Sequence, residues 1–284
     1  MNELSVIDHA FIDEDGLIRG GSFMFSCVVT GIVKGAEAVV VDFSTIKKDI
    51  KNIIDGHDIE QGQRNGFDHK LLIFGTANSD YYYNEKYFTI QTPSLLATVP
   101  RDAVKIEASY DKYSIENVEK AIKRQLTLLL SEKYRELKIE VNCRLSERIV
   151  TSSDLPHILF RYVHGLKNST SYGCISPVHG HLSFIQSEAL RNDVIRKQTQ
   201  DFLKNAIFVM KENIISQDDK TVLIGYNHRN RGTFKLLLKK ELYNIIILDS
   251  ETTVEYLAEF IKKEVMRTDL EVFVSEGLTK GAIA

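Results

Sequence analysis

Two histidines one residue apart, His179 and His181, stand in the segment Cys174-Ile-Ser-Pro-Val-His-Gly-His181. Side chains of an extended strand alternate faces with a period of two, so this pair shares a face and can grip one metal ion. A third imidazole, His164, closes the run Phe160-Arg-Tyr-Val-His164 one strand earlier. Three neutral imidazoles with one open position make a catalytic Zn²⁺ site, whereas a structural site is normally closed by a fourth protein ligand, usually Cys. Cys174, the one thiol nearby, reads as a reactant, because a thiol beside such a site can be drawn toward its thiolate. Gly180 between the ligands lets the backbone approach a neighbour closely.

A second constellation lies far upstream, in Phe67-Asp68-His69-Lys70. A carboxylate beside a histidine orients the ring and stabilises its charged form, so Asp68 and His69 can work as one proton-shuttling unit, or stand in a polar turn. His228, after Asn227, is either a surface imidazole or a substrate contact.

The elements that must hold these residues follow from periodicity. Residues 22–33 are rich in β-branched and aromatic side chains and read as a strand, followed after a turn by a second strand over Ala38–Phe43. Ser44 then reads as a helix N-cap, with Ile46, Ile50, Ile53 and Ile54 at helical spacing to Asp55. Gly56 to Gly66 is a polar loop. Tyr87–Gln91 is a strand, Ser114 caps a helix to about Tyr134, and Leu137–Asn142 is a strand. The rhythm then repeats: strands at His157–Tyr162 and Cys174–Gln186, helix over most of Ser187–Ile215, strands at Val222–Tyr226 and Tyr243–Leu248. A capping box at Thr252 and Glu255 starts a helix, and Leu270–Ser275 is the last strand. Leu137–Ser146 aligns without a gap with Leu270–Thr279, which sets Cys143 against Glu276. The chain thus reads as two diverged copies of one unit, 1–150 and 151–284, joined near Thr151–Asp154.

Composition narrows the class. A 43% hydrophobic and 26% charged make-up is that of an ordinary globular protein, and a net charge of −3 with no basic run gives no nucleic-acid footprint. No apolar stretch reaches membrane-spanning length and no signal peptide opens the chain, so the expected address is cytoplasmic, without membrane contact. Three cysteines, an odd number, fit a reducing compartment better than a disulfide framework.

The arrangement of His164, Cys174 and the His179-Gly180-His181 triplet resembles the 6-pyruvoyl-tetrahydropterin synthase and 6-carboxytetrahydropterin synthase family. Ala38-Val-Val-Val-Asp-Phe-Ser-Thr-Ile-Lys47 and Phe67-Asp68-His69-Lys70 are similar to further family elements, although Arg19-Gly20-Gly21 replaces the metal-binding triplet in the first copy. The resemblance implies an α+β fold of two tandem tunnelling-fold units, each an antiparallel four-stranded sheet with two helices on one face. It implies zinc on His164, His179 and His181, a catalytic Cys174, and proton transfer by Asp68 and His69. His228 takes the corresponding histidine position of the second copy. The family also places a glutamate after the last strand to hold the pterin ring, here Glu276; two carboxylate oxygens match the paired N–H groups of a pterin edge.

The activity so implied is conversion of 7,8-dihydroneopterin triphosphate to 6-carboxy-5,6,7,8-tetrahydropterin, as in queuosine biosynthesis. The spacer between Cys174 and His179 is intermediate between the two branches of the family, so the 6-pyruvoyl product stays open. So does a catalytically altered homologue that binds zinc and a pterin. Single-unit relatives stack two three-unit rings, so a two-unit chain is expected to form a homotrimer that imitates their hexamer.

Overall fold

In the computed structural model the described residues are 1–33, 39–56, 65–75, 79–149, 151, 154–170 and 174–284. The first half runs β1 (Ser5–Ile12), β2 (Ile18–Thr30), helix α1 (Phe43–Asp55), β3 (Lys70–Phe74), β4 (Asp80–Tyr83), β5 (Tyr87–Gln91), β6 (Leu95–Pro100), β7 (Val104–Glu107), α2 (Ile115–Lys133) and β8 (Glu140–Ser146). The second half runs β9 (His157–His164), β10 (His179–Gln186), α3 (Asp193–Phe202), β11 (Ala206–Met210), β12 (Ile214–Gln217), β13 (Thr221–His228), β14 (Gly232–Lys239), β15 (Asn244–Leu248), α4 (Val254–Phe260), β16 (Phe273–Glu276) and β17 (Lys280–Ile283).

Three sheets result. One has the order β7-β3-β1-β2-β8 and another β15-β11-β9-β10-β16-β17, the same sequence of positions with one strand added. Helices α1 and α2 cover one face of the former through Ile46, Ile50, Val118, Ile122 and Leu126, and α3 and α4 lie with the latter. The third sheet is shared: β12-β13-β14 from the second half joins β6-β5-β4 from the first, with Lys235–Leu238 of β14 antiparallel to Leu95–Thr98 of β6. Its inner face meets the helix-free faces of the other two sheets in a common core that includes Ala10, Leu71, Phe88, Val163, Ile207 and Leu236. Each large apolar side chain buried there contributes about 1.5–3 kcal/mol, so this core is what holds the halves in fixed register.

The architecture is mixed α+β, but the expected antiparallel four-stranded sheets are replaced by sheets of five and six strands. Strands β1 and β3, β3 and β7, β9 and β11, and β11 and β15 are parallel, because each pair is separated by a long connection rather than a hairpin. The strand expected over Ala38–Phe43 is not formed: Ala38 lies outside the described residues, Val39 makes an isolated bridge, and α1 begins at Phe43. Its cap is Asp42, which accepts from Thr45 N, and not Ser44. The partner of β2 is β1, in full register from Ser5↔Phe25 to Ile12↔Ile18. The long helix expected over Ser187–Ile215 is confined to α3, since the apolar run Ala206-Ile-Phe-Val-Met210 pairs with β9 and β15 as β11. Helix α2 matches its expected bounds, with the Ser114 hydroxyl accepting from Asn117 N. Among the described residues no helix is long and apolar enough to cross a membrane.

Candidate metal centre

Strands β9 and β10 pair so that His179 lies directly opposite His164, and His181 opposite Tyr162. This register gathers the three histidines: all are buried, and their ligand nitrogens lie within 4.8 Å of one another. His164 Nδ1 is 2.9 Å from the Thr252 carbonyl. A carbonyl only accepts, so Nδ1 carries the proton and Nε2 is left with its lone pair. His181 Nδ1 lies 3.3 Å from Asp8 Oδ1. Burial pushes the Asp8 carboxyl up, but the charge of His181 and the hydrogen bond from Ser22 outweigh it and hold the group well below the usual carboxylate range. Asp8 is therefore an anion beside His181 Nδ1, a buried nitrogen that makes no hydrogen bond among the described residues.

The consequence is electrostatic. The Nε2 atoms of His164 and His181 are 3.2 Å apart, and that of His164 presents a lone pair. That lone pair needs a donor or a cation opposite it. Nitrogens at about 2.0–2.1 Å from a tetrahedral zinc are themselves about 3.3 Å apart, so the spacing fits that ion. Burial lowers His164 to about 3 and holds His179 well below its ordinary value, with neighbouring imidazoles adding to both shifts. Neutral rings are what a metal requires. The carbonyl behind His164 and the carboxylate behind His181 are the outer partners that orient metal-binding imidazoles.

The other half supplies the rest of the site. Asp8 N donates to Asp68 Oδ1 at 2.8 Å, and His69 N donates to Asp8 O at 2.6 Å, which stitches the Asp68-His69 turn onto β1. His69 adopts a left-handed φ of 53°, and its Nδ1 reaches within 3.2 Å of both ring nitrogens of His179. Its Nε2 is 3.3 Å from Asp68 Oδ2. Burial lowers His69 to about 4, partly offset by Asp8, while burial and then the Asp8 charge raise the Asp68 carboxyl. His69, Cys174 and His179 form a second group whose ligand atoms lie within 4.8 Å of one another. Glu276 ends β16 with Oε1 3.9 Å from His181 Nε2 and Oε2 3.0 Å from Lys280 Nζ. Gly277 follows with φ 68°; a Cβ there would lie 2.7 Å from Asp8 Oδ1, so the turn accepts only glycine without displacing that carboxylate.

Seven of the eight residues singled out from sequence thus meet around one point. The eighth, His228, ends β13 at the turn into β14, where its Nδ1 accepts from Asn230 N at 3.2 Å. The position that matches His69 in the second sheet is Asn205, also at φ 53°: Lys70 pairs with His9 as the next residue, Ala206, pairs with Tyr162. The gap-free alignment that set Cys143 against Glu276 is likewise corrected. Gly20 and Gly180 occupy the same place on the two hairpins; four residues on, Met24 pairs with Ser146, while Ile185, five residues on, pairs with Val274. Ser146 thus matches Ser275, and Glu147 matches Glu276.

Sequence reasoning missed Asp8 and Thr252. A carboxylate in the middle of the apolar run Val6-Ile-Asp-His-Ala-Phe11 was the available signal for Asp8. Thr252 was expected to cap α4, but the cap is Thr253 and the buried Thr252 faces His164 instead.

No protein-family profile and no curated protein matches the chain. Among solved structures, about half of the chain is similar in fold to 6-pyruvoyl tetrahydropterin synthases of Plasmodium. A Plasmodium vivax enzyme is 16% identical over 51% of this chain and 92% of its own, with a TM-score of 0.38. A catalytic-residue mutant from the same organism is 20% identical over 50% and 86%, with a TM-score of 0.36. A Plasmodium falciparum enzyme is 17% identical over 50% and 88%, with a TM-score of 0.34.

Proposed function

We propose that this chain is a zinc-dependent pterin synthase that converts 7,8-dihydroneopterin triphosphate to 6-carboxy-5,6,7,8-tetrahydropterin. The observation that supports this reading most is the convergence of the imidazole nitrogens of His164, His179 and His181 beside Cys174, Asp68-His69 and Glu276. Zinc on His164, His179 and His181 would polarise the hydroxyls and developing carbonyl of the substrate side chain. His69 exchanges protons through Nδ1, the nitrogen that faces the centre, while Asp68 steadies Nε2. Cys174 provides the second acid–base group. The Glu276 carboxylate accepts the paired N–H edge of the pterin, with Lys280 Nζ 3.0 Å from its Oε2.

Two tandem units, 1–150 and 151–284, are part of the same proposal, supported by the matching strand orders of the two outer sheets. The first unit supplies Asp8, Asp68 and His69, the second supplies the metal ligands, Cys174 and Glu276. Three chains would then give the six units of a pseudo-hexamer; a monomeric mass by light scattering at active concentration contradicts that assembly. The activity itself is tested by incubating zinc-loaded protein with 7,8-dihydroneopterin triphosphate and analysing products by mass spectrometry. Release of acetaldehyde with the 6-carboxy product is expected. A 6-pyruvoyl product reassigns the branch, and pterin binding without any product assigns a binding homologue.

A further inference from the structure

We infer that the chain carries a second ligand pocket, on the opposite side of the paired hairpins, which takes a small organic anion: a phosphate or carboxylate on a flat or apolar body. This inference rests on the two-unit reading proposed above, because the pocket occupies the place that matches the metal centre when the halves are exchanged. A cavity of about 380 Å³ lies there, between Arg19, Gly20 and Glu147 of the first half and Leu159, Arg161 and Lys204 of the second. That volume is within the range of small-molecule sites.

Position by position, its chemistry has changed sign. Where the metal centre has Asp8 reaching across from β1, the second pocket has Arg161 reaching across from β9; each stands one residue before the matched pair His9 and Tyr162. Where it has Asp68-His69, the pocket has Lys204-Asn205. Glu147, the counterpart of Glu276, is bound by Arg161 Nη2 at 2.7 Å, and Arg161 Nη1 donates to Gly20 O at 2.9 Å. Arg19 is paired with Asp13, and its Nη1 donates to Asn205 Oδ1 at 2.7 Å. Three cations therefore stand against two carboxylates. A guanidinium has five N–H donors, and each of these two arginines spends two on the contacts named, which leaves a planar set of donors for an incoming anion. Phe160, Leu182 and Leu203 supply apolar wall for the body of the ligand. Phe11 and Arg19 stand at the His164 and His179 positions, so the pocket has no metal chemistry to perform.

The test uses equilibrium dialysis of the zinc-loaded full chain with fluorescent pterin-6-carboxylate. Two equivalents per chain are expected. Glu276→Gln should leave one equivalent, and Lys204→Glu, at an exposed position, should weaken that remaining equivalent at least about tenfold while leaving turnover unchanged. Arg161→Met should act in the same direction. Neutral pterin, which lacks the carboxylate, should fill only the Glu276 site. A single equivalent that Glu276→Gln abolishes and Lys204→Glu does not move overturns the second pocket and leaves the proposed activity standing. Equal binding of neutral pterin at both places overturns the anion assignment. A protein with no zinc and no turnover that still shows the Lys204-sensitive equivalent retains the pocket and loses the activity.

Discussion

The two hairpins that face each other across Gly20 and Gly180 share a backbone and differ in what their side chains leave unsatisfied. On β9 and β10, His164 has its Nδ1 proton committed to Thr252, His181 Nδ1 faces the Asp8 carboxylate without a hydrogen bond, and the two Nε2 atoms point at one another. On β1 and β2 the matching places hold Phe11 and Gly21, and the polar groups nearby are paired. Phe11 stacks on Tyr113 at 3.6 Å, and the buried His9 meets the Tyr113 hydroxyl through Nε2 at 2.7 Å. A histidine inside a protein is thus not by itself a metal ligand. His9 is a satisfied core residue; His164 and His181 belong to a buried imidazole cluster in which His181 Nδ1 has no hydrogen-bond partner among the described residues.

The sharpest way to break this comparison is to remove the reacting groups from one side. Cys174→Ala and Asp68→Ala should each lower kcat on the order of 10²–10⁴-fold, as loss of a positioned acid–base group does. Because His69 already meets His179 within one chain, mixing these two variants should restore no activity even after demonstrated subunit exchange. Restoration would mean that the site is completed between chains.

Next in size is the orienting carboxylate. Asp8→Asn keeps the shape but removes the anion beside His181 Nδ1, and should weaken zinc binding about 10–100-fold by competition titration. Asp13→Asn, whose carboxylate holds Arg19 of the second pocket and the Asp15 and Leu17 amides of the β1–β2 turn, should leave zinc affinity unchanged. An equal loss in both variants would remove the distinction between the two sides.

Much of this site is legible in the sequence, and the reason is local. His179-Gly180-His181 needs only strand periodicity to place two imidazoles together, and Asp68-His69 is a contiguous pair. What was not legible depends on pairings between distant segments. Asp8 matters because β1, rather than Ala38–Phe43, pairs with β2. The shared third sheet depends on β6 meeting β14 across well over a hundred residues, which no periodicity announces. The place of Glu147 depends on which residue of β8 stands beside Met24, which the letters of the strand do not fix. His228 was placed by its neighbour Asn227, whereas the chain puts Asn205 at that corner.

Packing between the hairpins gives a smaller effect. A Cβ on Gly20 would lie 2.2 Å from Tyr162 O and 2.3 Å from His181 N, so Gly20→Ala must push the hairpins apart. It should destabilise the protein by about 1–3 kcal/mol in urea denaturation and also weaken zinc binding. Gly16→Ala, at a turn outside this contact, should lower stability without moving zinc affinity.

The pH dependence of the metal-free protein tests the buried imidazoles themselves. His9 and His164 are lowered to about 3 and His69 to about 4 by burial, below the ordinary value near 6.5. The unfolded chain therefore binds more protons than the folded one between these limits. Stability is full above about pH 6.5 and falls as the pH drops toward 4, by roughly 1 kcal/mol per pH unit for each imidazole. Denaturation midpoints of the metal-free protein at pH 7 and pH 5 measure it, and His9→Gln should remove one share of the slope without altering metal content.

The central claim is that one side of the chain holds a metal and the other does not. Elemental analysis of purified protein, alongside His179→Ala, tests it most directly. One zinc per chain, lost in His179→Ala, is the predicted result. Two zinc ions per chain, or zinc retained in full without His179, would contradict the account.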